Sequence, residues 1–308
     1  MPFPQWHALS FPHLTRESFA DKLCVMEDQF SRTRLLLGQQ KLQKLFKARV
    51  AIFGIGGVGG YVAEALARSG VGEFLLVDSD AVSLSNINRQ IIATHKSVGR
   101  PKVQVMRERI LDINPAALVD ARQTFYLPQN SSAFDFSKYS YIVDAVDTVS
   151  AKLEIILQAK AAGVPVISAM GAGNKLDPTQ FKVADIYQTS VCPLARVMRR
   201  ECKKRGVDSL KVVYSTEPPA RILGQEQNSR QGQNAAATEK VAAASNDFGA
   251  SNDLGAPIDS RVSNDLSAPS NLGAENVAGK KIVPASAAFC PSVAGLIIAS
   301  QVVKDLTE

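Results

Sequence analysis

Little in this 308-residue chain is suited to cross-linking or to a membrane. Its four cysteines (Cys24, Cys192, Cys202, Cys290) are scattered and form no C-x-x-C pair, which argues against both a zinc ribbon and a disulfide framework. No apolar run approaches the ~18 residues of a membrane span. The longest candidate, Val293 to Val303, is broken by Gly295, Ser300 and Gln301. Met1 to Ser10 lacks the charged-then-apolar pattern of a secretory signal. These absences predict a reduced, cytoplasmic protein without a membrane span. What is present is ordinary for one large α/β domain with an appendage: 45% hydrophobic and 21% charged residues. Lys and Arg number 35 against 29 Asp and Glu, a net charge of +6 compatible with a polyanionic partner.

Apolar residues from Phe19 through Phe30 and on to Leu42, Leu45 and Phe46 recur at helical spacing and predict N-terminal helices. Arg49 to Phe53, Phe74 to Val77, Val119 to Phe125, Tyr141 to Asp144 and Val164 to Ile167 read as short buried strands. Helical stretches lie between them, Lys102 to Ile113 stopping at Asn114-Pro115 because the residue before proline resists the α region. Strands alternating with helices predict a doubly wound, Rossmann-like, mostly parallel sheet covered on both faces. After Leu223 the chain turns to Ala, Ser, Asn, Asp and Gly, with three imperfect hexapeptides beginning at Ser245, Ser251 and Ser263. One apolar residue in six cannot offset the entropy of ordering the rest, so 224–280 is expected to be a disordered, low-complexity insertion. A final apolar helix, Ser292 to Leu306, is expected to close the fold.

Gly54-x-Gly56-x-x-Gly59, with Gly57 and Gly60, follows the first strand and opens a helix. Such a loop lets backbone N–H groups approach a phosphate, and Asp78, ending the next strand, can accept from ribose hydroxyls. The loop alone allows a dinucleotide or ATP. Beyond Asp78 lie Asn86, Arg89 and Gln90, and then Lys102 at a helix start. A reacting triphosphate needs fixed cations of this kind, whereas a dinucleotide's diphosphate is usually satisfied by the loop amides. Asp147, after the strand ending at Asp144, is placed to hold Mg²⁺ beside phosphates; its competing role is to cap the next helix, as could Thr148.

Together GIGGVGG, VDSD, SNINRQ, GRPK and VDAVDT resemble, in order and spacing, the ATP-dependent adenylating enzymes of the ubiquitin-activating type. Arg34 to Gly38, Asn114-Pro115, Gly171 to Gly173, Asp177 to Thr179, Tyr214 to Glu217 and Pro291 to Gly295 resemble the branch that dehydrates threonylcarbamoyladenosine in tRNA. The resemblance implies an N-terminal extension over 1–29, an adenylating domain over 30–223 and 281–308, ATP and Mg²⁺ as cofactors, and modified tRNA as substrate. It further implies that Asp78 holds the ribose, that Asn86, Arg89 and Lys102 contact phosphates with Gln90 adjacent, and that Asp147 holds the metal. Arg32, with Arg34 as rival, matches an arginine supplied by the second copy of a homodimer. A sulfur-relay protein stays open as a further partner. The absence of paired C-x-x-C motifs separates the chain from the sulfur-carrier activators, whose adenylation of a protein C-terminus is the alternative reaction. Cys192 reads as incidental, since nothing local marks it as a thiolate. Positioning and charge carry the implied chemistry, so no essential role is expected for His7, His13 or His95. The helix Pro193 to Arg205 sets Leu194, Val197, Met198 and Cys202 on one face and Arg196, Arg199, Arg200, Lys203 and Lys204 on the other, a candidate tRNA surface.

Overall fold

The computed structural model describes residues 28–220 and 284–308. All but the last two residues of the expected 1–29 extension lie outside that range, as do the 224–280 insertion and Lys281 to Val283. The N-terminal helical pattern becomes two helices, α1 (Ser31–Leu37) and α2 (Gln39–Lys47). They break at Gly38, whose φ of +83° favours glycine.

The remaining elements run β1 (Arg49–Phe53), α3 (Gly59–Ser69), β2 (Glu73–Val77), α4 (Lys102–Ile113), β3 (Leu118–Arg122), β4 (Tyr141–Asp144), α5 (Val149–Ala161), β5 (Val166–Ala169), β6 (Phe181–Asp185), α6 (Pro193–Lys204), β7 (Lys211–Ser215) and α7 (Phe289–Thr307). The sheet order is β3-β2-β1-β4-β5-β7-β6, parallel throughout except for the antiparallel β6–β7 pair. The doubly wound sheet is therefore as expected, whereas β6 and β7 are additions that the apolar pattern did not reveal. Two expected strands shift at their ends: β3 stops at Arg122 rather than Phe125, and β5 starts at Val166 rather than Val164.

Strand β1 shows how the two faces are covered. Its residues alternate, Val50 and Ile52 entering one core with Leu66, Met106, Ile298 and Val302, and Ala51 and Phe53 entering the other with Ile155, Ile156, Ala195 and Met198. Helices α3, α4 and α7 thus cover one face and α5 and α6 the other. Helix α7 is long and apolar enough to cross a membrane by length and composition, and it lends Ala294, Ile298 and Val302 to the core. Its Gly295 lies so close to α3 that a Cβ there would stand 2.5 Å from the Val58 carbonyl oxygen.

Register brings the functional ends together. Phe53, the last residue of β1, pairs with Val77 and with Asp144, the last residues of β2 and β4. The chain leaves β1 toward β2 and β3 on one side and returns as β4 on the other. That reversal opens a crevice at the carboxyl edge, where ligands of such sheets bind.

Candidate active site

A cleft of about 450 Å³ occupies this crevice, with Gly54, Gly56, Gly57, Asp78, Asn86, Arg89, Gln90, Lys102 and Asp147 among its lining residues. Nine of the positions expected from sequence thus meet in one place. Two do not line it. Gly59 is buried, and a Cβ there would fall 1.8 Å from the Gly54 carbonyl oxygen, so its role is to let α3 pack against the loop. Arg32 is exposed on α1, away from the cleft of its own chain.

The loop is held from two sides. Gly54, at φ +89°, lies against the β4–α5 connection, where a Cβ would meet the Ala145 carbonyl oxygen at 2.6 Å. Asp78 secures the other side: Oδ2 accepts from the Ile55 amide at 2.7 Å and Oδ1 from the Asp80 amide at 2.9 Å. Burial pushes the Asp78 carboxyl above its ordinary value, opposed by the nearby Lys102 ammonium and both amides. A carboxylate has about four acceptor directions, so Asp78 can brace the loop and still accept from a ribose.

Lys102, first in α4, keeps a side chain only 8% exposed and places Nζ 2.7 Å from Asp80 Oδ2 and 3.9 Å from Asp78 Oδ1. Asp80, in the VDSD motif, also lines the cleft, although no role is expected for it from the sequence. Its carboxylate is mostly exposed and parks the ammonium, which an incoming phosphate can take over. Arg89 is half-buried, its Nη1 donating to the Ser85 carbonyl oxygen and to Asn88 Oδ1, both at 2.9 Å. Asn86 lines the cleft, and its Oδ1 accepts from the Ser83 amide at 3.1 Å. Gln90 is buried, and its Oε1 has no hydrogen-bond partner among the described residues. An orphaned acceptor beside a glycine loop suits a site completed by a polar ligand, since the side-chain amide can present either end. Thr124, Phe125, Tyr126, Pro284, Ser286 and Pro291 also line the cleft, and of these only Pro291 belongs to a motif singled out from the sequence.

Asp147 is exposed, and its Oδ1 accepts from the Thr148 hydroxyl at 3.2 Å. Thr148 occupies the N-cap position of α5, but no side chain caps that helix, so the capping role is not taken up. No group of three or more His, Cys, Asp or Glu able to hold a metal occurs among the described residues. A cation here would therefore take one carboxylate and complete its shell with phosphate oxygens and water, the usual habit of Mg²⁺, and Asp147 fits that habit.

Other candidates are repositioned. Arg34 is tied to Asp28 Oδ2 at 2.6 Å and Gln39 Oε1 at 2.8 Å, which leaves Arg32 as the available arginine of α1. Cys192 is 2% exposed and borders Gly171, so no acyl group can reach it without rearrangement. Arg199 does not belong to the outer face of α6: it turns inward and donates to the Thr189 carbonyl oxygen at 2.7 Å and to the Thr189 hydroxyl. The tertiary position of Thr189 decides this, which helical spacing alone cannot show. Arg205, beyond the helix end, takes its place among the exposed cations.

With this cleft at the switch point of such a sheet, the chain belongs to the ThiF family, which matches residues 30–308. It is similar to the tRNA threonylcarbamoyladenosine dehydratase of Bacillus subtilis (strain 168), with 37% identity over 284 residues, covering 92% of this chain and 96% of the relative. The Escherichia coli (strain K12) enzyme of that name is 40% identical over 200 residues, 61% of this chain and 74% of the relative. The crystal structure of the E. coli enzyme in complex with ATP superposes with a TM-score of 0.67 at 28% identity, covering 90% of this chain and 93% of that one. The sulfur carrier protein ThiS adenylyltransferase of E. coli is a more distant relative, 36% identical over 136 residues and 44% of this chain.

Proposed function

We propose that this chain catalyses the ATP-dependent dehydration of threonylcarbamoyladenosine in tRNA to its cyclic form. The observation that carries the reading is the convergence of the glycine loop, Asp78, Arg89, Lys102 and Asp147 on one cleft. In this reading Asp78 holds the ribose of ATP, and the loop amides with Asn86, Arg89, Gln90 and Lys102 hold its phosphates. The threonyl carboxylate attacks the α-phosphorus; a new P–O bond forms as the bond to the β-phosphate oxygen breaks, and pyrophosphate leaves. The carbamoyl group then attacks the activated carbonyl, closes the ring and expels AMP, so the nucleoside loses one water overall. Positioning and charge carry both steps, with Arg89 and Lys102 meeting the negative charge that builds on the phosphates. Asp147 would hold Mg²⁺, whose chemistry there is to neutralise phosphate oxygens.

The partners follow the exposed surfaces. Leu35 and Leu36 on α1 are 88% and 83% exposed beside Arg32, which supports a homodimer that covers the leucines and carries Arg32 into the second copy's cleft. The α6 face bearing Arg196, Arg200, Lys203 and Lys204, continued by Arg205, supports docking of the tRNA backbone. Cys192, Cys202 and Cys290 are free thiols, which fits the reducing cytoplasm where ATP and tRNA meet.

The test is direct. The purified chain is incubated with ATP, Mg²⁺ and tRNA carrying threonylcarbamoyladenosine, and the nucleosides are weighed by mass spectrometry. A nucleoside lighter by one water, with AMP released alongside, is the expected result. An unchanged nucleoside without AMP would overturn the reading.

A further inference from the structure

Behind the cleft wall lies an ion pair that is absent from the lining. Lys152, in the first turns of α5, and Asp144, at the end of β4, both have side chains 0% exposed. Lys152 Nζ donates to Asp144 Oδ2 and to the Val146 carbonyl oxygen, each at 3.0 Å. The Ser168 hydroxyl of β5 donates to the same Oδ2 at 2.5 Å, and the Val146 amide lies 3.3 Å from Asp144 Oδ1. Every one of these contacts ends on Asp144 or on the connection that leads to Asp147.

Burying two charges is costly, and an apolar pair of similar volume commonly stabilises a core at least as well. Stability alone is therefore a poor reason for a lysine here. The pair does something an apolar pair cannot, because Lys152 grips the carbonyl of the residue immediately before Asp147. Asp147 needs such support: it is exposed, and the only hydrogen bond to its own side chain among the described residues comes from the neighbouring Thr148. The same connection is pressed against Gly54 through Ala145, so any shift in it also reaches the glycine loop.

We propose that Lys152 is a positioning residue, which fixes the 145–148 connection through Asp144 and the Val146 carbonyl so that the Asp147 carboxylate faces the cation in the cleft. This rests on the reading of Asp147 as the metal-holding carboxylate. Supporting groups behind a metal ligand commonly change metal affinity by about 10- to 100-fold when lost.

The test reads metal requirement without turnover: the Mg²⁺ concentration giving half of the ATP-dependent rise in unfolding temperature of the full chain. Lys152→Arg keeps the charge but brings a planar fork that cannot occupy both of the ammonium's contacts in the same way. Combining Lys152→Met with Asp144→Asn removes both charges and leaves no buried ion unpaired. Each is expected to raise the Mg²⁺ requirement about tenfold or more, as does Asp147→Asn, and adding Lys152→Arg to Asp147→Asn is expected to raise it no further. A folded Lys152 variant with the unaltered requirement, effects that multiply in the combined variant, or failure of both Lys152 variants to fold would each overturn the proposal. If Asp147→Asn leaves the requirement unchanged, the metal reading itself falls; if it raises the requirement and the Lys152 variants do not, only the role of Lys152 falls.

Discussion

The two halves of the sheet use the same kinds of charged side chain in opposite ways. On the β3-β2-β1-β4 side, Arg89, Lys102, Asp78 and Asp147 gather at the strand ends around an open cleft, and Gln90 is left with an orphaned acceptor. On the β5-β7-β6 side the protein consumes its own polar groups. The Glu217 carboxylate accepts from the amides of Leu176 and Asp177, Asp185 accepts from those of Tyr187 and Leu210, and Arg199 is spent on Thr189. Exposed cations without an ion pair among the described residues remain at Arg196 and Lys203 on the outer face of α6 and at Lys182 on β6. A charged group that the fold leaves incompletely satisfied is available to a ligand, whereas one that the fold completes is structural.

The largest expected effect tests the first half of that contrast. Lys102→Ala should slow AMP formation by about 10²- to 10³-fold, the usual cost of losing one preorganised charge partner. Its unfolding temperature should fall by only a few degrees, because Asp78 keeps two backbone donors. Loss of folding with full activity in the residual native protein would break the comparison.

A smaller effect sharpens the second half. Replacing Arg196, Arg200 and Lys203 together by Ala should flatten the salt dependence of tRNA binding by about two to three units of log–log slope, roughly one per phosphate contact. The temperature rise given by ATP and Mg²⁺ should stay as it was. Arg199→Ala should do the reverse, lowering the unfolding temperature while leaving the slope unchanged. A slope that drops with Arg199→Ala would return that residue to the outer face.

The smallest effect concerns Glu201, on α6. Hydrogen bonds from Arg205 and Lys204 hold its carboxyl down at about 2, against an ordinary 4.5. A depressed carboxyl stabilises the folded state at pH above the unfolded value, and that contribution fades as pH falls from about 4.5 toward 2. Because Arg200, Lys204 and Arg205 are exposed around it, salt should weaken the effect. A carboxyl titration followed by NMR should place the midpoint near 2 at low salt and higher in 1 M salt. A midpoint indifferent to salt would show that the cations around Glu201 do not set its charge.

The cleft half was the more legible because its signals are local. A strand, a glycine turn and an acid at the next strand end all lie within the 30 residues from Arg49 to Asp78, and the turn and the strand ends are dictated by backbone geometry. Strands β6 and β7 are not marked by the alternation of strand and helix, because they gain their place by pairing across the chain, β7 entering between β5 and β6 as neighbour of an antiparallel strand. Asp80 escaped notice because its importance lies in Lys102, 22 residues away in the chain.

Sequence alone determined the doubly wound sheet, the glycine loop and the chemical character of the cleft, since periodicity and turn residues act over a few neighbours. Tertiary structure alone decided which charges remain available: it turned Arg199 inward, tied Arg34 to Asp28, and sealed Lys152 behind Asp147. Whether a side chain meets water, a ligand or a buried partner depends on residues distant in the chain, and only folding brings those together.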